Sequence, residues 1–492
     1  MPANQILTAA QMRAAEAALI ARGTSVDELM QRAGRGAADW VWRMAAGRSV
    51  TVLCGPGNNG GDGYVIAETL RRLGSPVQVV MASEPASTAA KVARGLYGGP
   101  VLPPATAAPG EVLVDCLFGT GLARPLSADH AALLDTLAAS HRQVIAVDLP
   151  SGVDADLGLA LNRDLPANHL TIALGAWKFA HFLMPAAASM GALRLVGIGV
   201  GAVDGAADVI AQPRFAPPAT DAHKYTRGLL GVVEGAMPGA AVLAAMAAQG
   251  AGAGYVKLLG EGSAYPSTGS GRAGPAGTFF PNPAQPEPVE GRALPSDLVH
   301  DSGPLREALA DKRFNALLLG PGLGRDAAAR EAMALVLARD ASTVLDADAL
   351  LLLTRPLLAE RTALLIVTPH GGELSALEQA FSLSGEGSKA DRARNLAKAG
   401  NMIVVAKGAG TVVAAPDGRV ALAERASSWL STAGTGDVLA GVIASRLAMG
   451  ADAFNAACEG VWLHGEAARL CCPPFTAGQL AAQVRSAYAA CL

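Results

Sequence analysis

What this 492-residue chain lacks narrows its roles first. Acidic and basic residues nearly cancel, 42 against 39, leaving a formal net charge of −3, and lysine and arginine form no run. A nucleic-acid partner needs a basic stripe, so that class is excluded. The six cysteines (Cys54, Cys116, Cys458, Cys471, Cys472 and Cys491) show neither a CxxC pair nor zinc-ligand spacing. They suit a reducing, cytoplasmic setting, and no structural zinc is expected. The first eleven residues lack a basic stretch followed by an apolar one, so no secretion signal is expected. The longest apolar runs are alanine-rich and broken by Gly, Pro or charge, too weak for a membrane span. What remains is 51% hydrophobic over a length sufficient for two or three domains with real cores.

The stretch that organises the rest lies near the end: Thr432-Ala433-Gly434-Thr435-Gly436-Asp437. Val438, Leu439, Val442, Ile443 and Leu447 follow at spacings of three and four, which predicts a helix starting where the glycines end. Unpaired N–H groups and the helix dipole make such a start a site for a phosphate-like anion. Gly434 and Gly436 let a phosphoryl group approach the backbone. Asp437 either caps the helix or serves as a base on a hydroxyl that attacks phosphorus.

In chain order, residues 9–44 read as helical, with a break at Gly23-Thr24-Ser25 and Ser25 as N-cap. A buried strand over 49–54 then runs into Gly55-Pro56-Gly57-Asn58-Asn59-Gly60-Gly61-Asp62-Gly63 and a helical period. Strand, glycine loop and helix in that order are what a nucleotide-phosphate turn requires. Further strands at 77–81, 112–117, 144–147 and 170–174 predict an α/β fold with a doubly wound parallel sheet, whose ligands sit beyond the strands' carboxyl ends. Polar clusters stand there: Asp115, then Gly119, Thr120, Gly121, Leu122, Ala123, Arg124 and Pro125, then Asp148 through Asp154. Each alone reads as turn chemistry, and their coincidence with strand ends points to a site. Oxygens of Asn59, Asp115 and Ser151 could together hold a hard cation.

Residues 205–222 are rich in Ala and Pro and read as a linker between domains 1–204 and 223–492. Residues 265–295, dominated by Gly, Pro and Ser, read as a disordered insertion. A second set of strands ends in Gly320-Pro321-Gly322-Leu323-Gly324, Asp346-Ala347-Asp348, Thr368-Pro369-His370 and Lys407-Gly408-Ala409-Gly410-Thr411, which predicts a second site at a carboxyl edge. His370 is either a structural histidine or a ligand contact. Lys407 either fixes phosphate or tops an exposed turn, and Asp346 and Asp348 either bind magnesium through water or cap strands.

The Gly55–Gly63 loop, Asp115 with residues 119–125, and Asp148 through Ser151 resemble the N-terminal domain of the bifunctional NAD(P)H-hydrate repair proteins, an epimerase with a Rossmann-like fold. That resemblance implies that Asn58, Asn59, Gly60, Gly61, Asp62, residues 119–125 and Asp148 line the site for hydrated dinucleotide. It also implies that Asn59, Asp115 and Ser151 hold a potassium ion. The second half resembles the ribokinase-like ADP-dependent NAD(P)H-hydrate dehydratases, through Pro238-Gly239-Ala240, Gly320 to Gly324, Thr368 to His370, Lys407 to Thr411 and Ala433 to Asp437. This likeness implies substrate contacts by Ala240, Gly322, His370 and Asp437. It places the adenine nucleotide at Lys407, Gly408, Ala409, Gly410, Thr411, Gly434 and Gly436, with Mg2+ and with ADP as co-substrate. Glu234-Gly235-Ala236 departs from the family's Gly-Gly-Ser-like turn, and Gly372 from its proline.

The expected protein is a cytoplasmic homo-oligomer acting on small molecules, with Asp148 and Asp437 as its catalytic acids. A small-molecule kinase would differ by leaving a stable phosphorylated product, and a nucleotide sensor by binding without turnover.

Overall fold

The computed structural model describes residues 4–104, 109–260, 295 and 298–492. The insertion expected at 265–295 lies outside the described residues apart from Pro295. The chain divides into two compact units, Met1–Ala211 with Leu383–Ala426, and Gln212–Ser382 with Ser427–Leu492. This division runs elsewhere than the domain boundaries read from the sequence, because segment 383–426 groups with the N-terminal residues. The expected linker also contains a strand, Ala207–Val209, paired with Gln5–Leu7 on one side and Val420–Leu422 on the other.

In the first unit seven parallel strands lie in the spatial order Val101–Leu102, Val77–Met81, Val50–Cys54, Gly110–Cys116, His141–Val147, Leu170–Leu174 and Ala192–Val196. Their central members are near-continuous apolar runs, as strands covered on both faces must be. The chain builds outward from Val50–Cys54 to one edge, then returns to place Gly110–Cys116 on its other side. That reversal leaves a crevice at the carboxyl ends of these two strands. The glycine loop enters it. A Cβ on Gly55 would lie 1.8 Å from the Leu117 carbonyl oxygen, and one on Gly60 only 1.9 Å from the Gly55 oxygen, so the loop folds this tightly only without side chains. Segment 383–426 adds the helix Lys389–Gly400 and the strands Ile403–Ala406, Val412–Ala414 and Val420–Leu422.

The second unit repeats the logic with six parallel strands, ordered Val299–Asp301, Tyr255–Leu259, Leu229–Val233, Ala316–Leu319, Ser342–Leu345 and Leu365–Val367. Here the reversal falls between Leu229–Val233 and Ala316–Leu319. The helix Thr435–Ala448 begins at the expected place, but the expected apolar stripe understates it. Every residue from Val438 to Ala448 is buried, Ala440, Gly441, Ala444 and Ser445 included. Small residues let neighbouring helices close on it from several sides. A Cβ on Gly441 would stand 2.0 Å from the Ala244 carbonyl of helix Pro238–Gly250, and Gly460 of helix Ala453–Leu470 receives Ile443 in the same way.

Candidate functional site

In the first unit the crevice gathers residues far apart in sequence. Asp148 follows strand His141–Val147 with φ of +66°, a region that side chains other than glycine seldom enter. Two backbone bonds hold it there: its N–H donates to the Ile172 carbonyl at 2.7 Å, and its own carbonyl receives His181 Nε2 at 2.9 Å. The carboxylate is fixed as tightly. Oδ1 meets Lys178 Nζ at 2.5 Å, and Oδ2 accepts from the Thr120 N–H at 2.8 Å and its hydroxyl at 2.5 Å. Lys178 Nζ also donates to the Leu174 carbonyl at 2.7 Å.

Burial alone would raise the Asp148 pKa. The charge of Lys178 and the bonds from Lys178 and Thr120 outweigh it and hold the carboxyl below its ordinary value. Asp62 goes the other way, pushed well above the usual carboxylate range first by burial, then by the charges of Asp148 and Glu16. The crevice thus shifts one carboxyl below its ordinary value and another above it, the kind of divergence that acid–base chemistry uses. Burial pushes His181 down to about 4, so its ring stays neutral. A proton on Nε2 then faces the Asp148 carbonyl, while Nδ1 accepts from the Lys178 N–H at 2.9 Å.

Asn59 and Gly119 meet Asp148 here. A Cβ built on Gly119 would lie 2.8 Å from Asp148 Oδ2 and 3.3 Å from Asn59 Cγ. Both polar atoms of the Asn59 amide are buried without a hydrogen-bond partner, an arrangement that calls for a ligand. Asp115 is buried beside Ser151, taking the Ser151 hydroxyl on Oδ1 at 2.7 Å and its N–H on Oδ2 at 2.9 Å. No cluster of three or more His, Cys, Asp or Glu suited to a metal occurs among the described residues. A donor set of one carboxylate, one amide oxygen and one hydroxyl suits a weakly charged alkali ion better than zinc or another transition metal.

Sequence reasoning missed Lys178 and His181. Their signal was faint but present: within 170–183 they stand as charged or titratable residues in an otherwise apolar stretch, just past a strand end.

In the second unit Ala240, Gly322 and the Gly434 turn come together through helix Pro238–Gly250. Ala240 lies in its first turn, the Met237 N–H donates to the Gly322 carbonyl at 2.8 Å, and Leu243 packs where a Cβ on Gly434 would be, 2.9 Å away. Gly434 has φ of +89° and supplies no side-chain cap, so helix Thr435–Ala448 opens with a bare backbone turn. Asp437 sits in that turn. The Thr435 hydroxyl fixes the turn from behind through the Leu430 and Thr432 carbonyls at 2.8 and 2.9 Å.

Other expected residues also make structural contacts of their own. His370 caps helix Gly371–Ala380, its Nδ1 accepting from the Gly372 N–H at 3.0 Å while Glu373 answers on the His370 N–H at 2.8 Å. Its ring is largely exposed and its contacts lie within its own turn. Asp348 straps the glycine loop, binding the Gly324 N–H at 3.0 Å and Arg325 Nε at 2.7 Å. Asp346 accepts from the Thr368 hydroxyl at 2.7 Å. Glu234, at the departure from the Gly-Gly-Ser-like turn, meets His300 Nε2 at 2.9 Å. Lys407 to Thr411 form the loop between two antiparallel strands of the first unit, Ile403–Ala406 and Val412–Ala414.

Comparison with known proteins matches each half separately. Residues 26–180 match the family described as YjeF-related protein N-terminus, and residues 282–488 the family described as NAD(P)H-hydrate dehydratase. Over nearly its whole length the chain is 35% identical to a bifunctional NAD(P)H-hydrate repair enzyme of Gloeobacter violaceus, covering 94% of this chain and 92% of that one. The chain belongs to the bifunctional NAD(P)H-hydrate repair enzymes. A relative of the same description from Mycobacterium leprae is 34% identical, covering 98% of both chains. Among solved structures, the ADP/ATP-dependent NAD(P)H-hydrate dehydratase of Bacillus subtilis, co-crystallised with ATP and Mg2+, is 26% identical with a TM-score of 0.45, covering 57% of this chain and 95% of that one. Membership makes the chain an enzyme with two activities, an epimerase and a dehydratase of NAD(P)H hydrates.

Proposed function

We propose that the first site interconverts the R and S hydrates of NADH and NADPH and that the second dehydrates the S form, consuming ADP and releasing AMP and phosphate. Residues 1–204 and 223–492 are the functional domains of this reading. In the first, Asp148 handles the proton at the carbinol centre. The glycine loop from Asn58 to Asp62 and residues 119–125 seat the dinucleotide. The observation that carries this site is the meeting of Asn59, Gly119 and a pinned Asp148 in the crevice. Asn59, Asp115 and Ser151 would hold potassium, which would supply positive charge toward the diphosphate. The unpartnered Asn59 amide fits that role.

In the second site Asp437 deprotonates the ring hydroxyl, whose oxygen attacks the terminal phosphoryl of ADP. The β-phosphoryl leaves AMP for that oxygen; phosphate then departs with the carbon–oxygen bond electrons, and the neighbouring ring carbon gives up a proton to solvent, so that its C–H electrons form the restored double bond of the dihydronicotinamide. The open turn at Gly434 to Gly436 stabilises the developing charge, and Ala240, Gly322 and His370 contact the substrate. Lys407 to Thr411 hold the adenine nucleotide. Mg2+ would arrive with it, since Asp348 is engaged by Arg325 and Gly324. Residence in the cytoplasm and a homo-oligomeric state belong to the same proposal. No helix among the described residues is long and apolar enough to cross a membrane.

Two variants separate the sites. Asp437→Ala is expected to abolish ADP-driven recovery of dihydronicotinamide absorbance while R/S exchange continues, and Asp148→Ala to slow exchange alone. Dehydration by Asp437→Ala at near the parent rate would remove the base assignment.

A further inference from the structure

The glycine loop of the first unit has the spacing G-x-G-x-x-G at Gly55, Gly57 and Gly60, between strand Val50–Cys54 and helix Asn58–Arg72. A diphosphate settles on such a helix start. The sheet around it is wound from Val50–Cys54 outward to one edge and then back to the other, the order in which a dinucleotide lies across the strand ends. Asp148 follows His141–Val147, two strands to one side of the loop, and with the nicotinamide end held there the adenosine end extends to the other side. The strand on that side is Val77–Met81. Three strand spacings of about 4.8 Å separate it from His141–Val147, roughly 14 Å in all, a reach suited to an extended dinucleotide.

Beyond Val77–Met81 stands Ser83-Glu84-Pro85, anchored at three points. The Ala82 N–H donates to the Cys54 carbonyl at 3.0 Å, the Ala86 N–H to the Pro56 carbonyl at 2.8 Å, and the Ser83 hydroxyl meets His130 Nε2 at 2.9 Å. These bonds hold the segment alongside the glycine loop, with Glu84 exposed between them. No lysine or arginine occurs between Met81 and Lys91. Lys91 and Arg94 belong to the next helix, Thr88–Leu96, where Arg94 lies over the Tyr64 ring at 5.8 Å from its centroid. An acid past the second strand, about 20 residues beyond the glycines, is where such sheets take the ribose 2′-hydroxyl of an unphosphorylated dinucleotide; an arginine there takes a 2′-phosphate instead.

We propose that Glu84 accepts a hydrogen bond from the adenosine 2′-hydroxyl, and that the first site therefore works on NADH hydrate in preference to NADPH hydrate. The 2′-phosphate of the latter brings like charge against this carboxylate, so discrimination comes from repulsion as well as from the bond. The inference rests on the reading of the first site as the epimerase. It adds a substrate preference, carried by a residue outside the glycine loop and outside residues 119–125.

The test follows R/S exchange in the full-length protein with ADP and ATP left out, so that the second site is idle, starting from one epimer of each hydrate. The expected kcat/KM is at least about 10-fold higher for NADH hydrate, the worth of one charge-assisted bond. Glu84→Gln is expected to bring the two values within about 3-fold, chiefly by lowering KM for NADPH hydrate, and Glu84→Arg to reverse their order. Glu84 is exposed, so both variants should keep the parent's urea midpoint, and a changed ratio then reports recognition. Equal values for the two hydrates in the parent, a preference for NADPH hydrate, or a preference that Glu84→Gln leaves unchanged would each overturn the proposal while the epimerase reading stands. Exchange of neither hydrate faster than in buffer would remove that reading, and the proposal with it.

Discussion

Replacing Lys178 by methionine tests the arrangement on which the first site depends. Lys178 and Asp148 are 1% and 12% exposed and meet at 2.5 Å, so removing the ammonium strands a carboxylate in a poorly solvated crevice. Breaking a buried pair from one side costs about 3–5 kcal/mol. The two bonds from Thr120 remain and keep the expected loss near the lower figure, about 3 kcal/mol, more than a 100-fold shift of the unfolding equilibrium.

The sign of the pH dependence follows from which influence is removed. In the parent, Asp148 lies below its ordinary pKa, so its contribution is present at neutral pH and fades only as pH falls through the folded value. In the variant burial acts with its main opponent gone, and the pKa rises. The variant therefore loses stability as pH climbs above the ordinary carboxylate value near about 3.9, and its deficit should grow from pH 5 to pH 8. Urea unfolding at both pH values measures this, with epimerisation assayed alongside. Adding Asp148→Asn removes the stranded charge and should restore most of the stability without restoring exchange. A Lys178→Met deficit below about 1 kcal/mol at pH 8, or a double variant no more stable than the single, would refute the reasoning.

Two more outcomes follow from the same crevice. Gly119→Ala places a methyl 2.8 Å from Asp148 Oδ2, and because Lys178 and Thr120 pin that carboxylate it has nowhere to go. Epimerisation should fall about 100-fold, whereas Gly95→Ala, whose added methyl would meet nothing within 4 Å, should leave it at the parent rate. His181 lies near about 4 against an ordinary value of about 6.5, so the folded state resists a proton that the unfolded chain accepts. Its stabilisation is complete above about pH 6.5 and is lost as pH falls toward 4, by up to about 3 kcal/mol. Urea midpoints from pH 7 to 4.5 should therefore drop more steeply in the parent than in His181→Gln, and parallel curves would dismiss the histidine.

What the sequence made legible, and what it hid, divides along a physical line. Strand, glycine loop and helix are local, and their residues lie next to one another in the chain. That is why the Asn58 loop, the Gly434 turn and Ser25 as N-cap, whose hydroxyl accepts from the Glu28 N–H, could be read directly. Partnership across the fold is not local. Lys178 matters because strand Leu170–Leu174 lies beside His141–Val147, which sets its ammonium against Asp148 thirty residues earlier.

His370 shows the converse. A histidine beside Thr368 and Glu373 reads as chemistry, and the same three-residue spacing is also that of a capping box in which Nδ1 accepts from the backbone, a second role that the residues alone do not announce. The helix after Asp437 was read as one-sided because periodicity registers large apolar residues. Ala440, Gly441 and Ala444 fell outside the stripe, although small residues are what admit a neighbouring helix within 2.0 Å of a would-be Cβ. In the first unit the groups readable in sequence are those that would hold phosphate, and the group legible only in three dimensions is the buried Lys178 that sets the charge around Asp148. Binding by backbone turns is thus written locally, while the electrostatics that turn binding into proton transfer depend on the sheet order, and the Lys178 variants address that second layer alone.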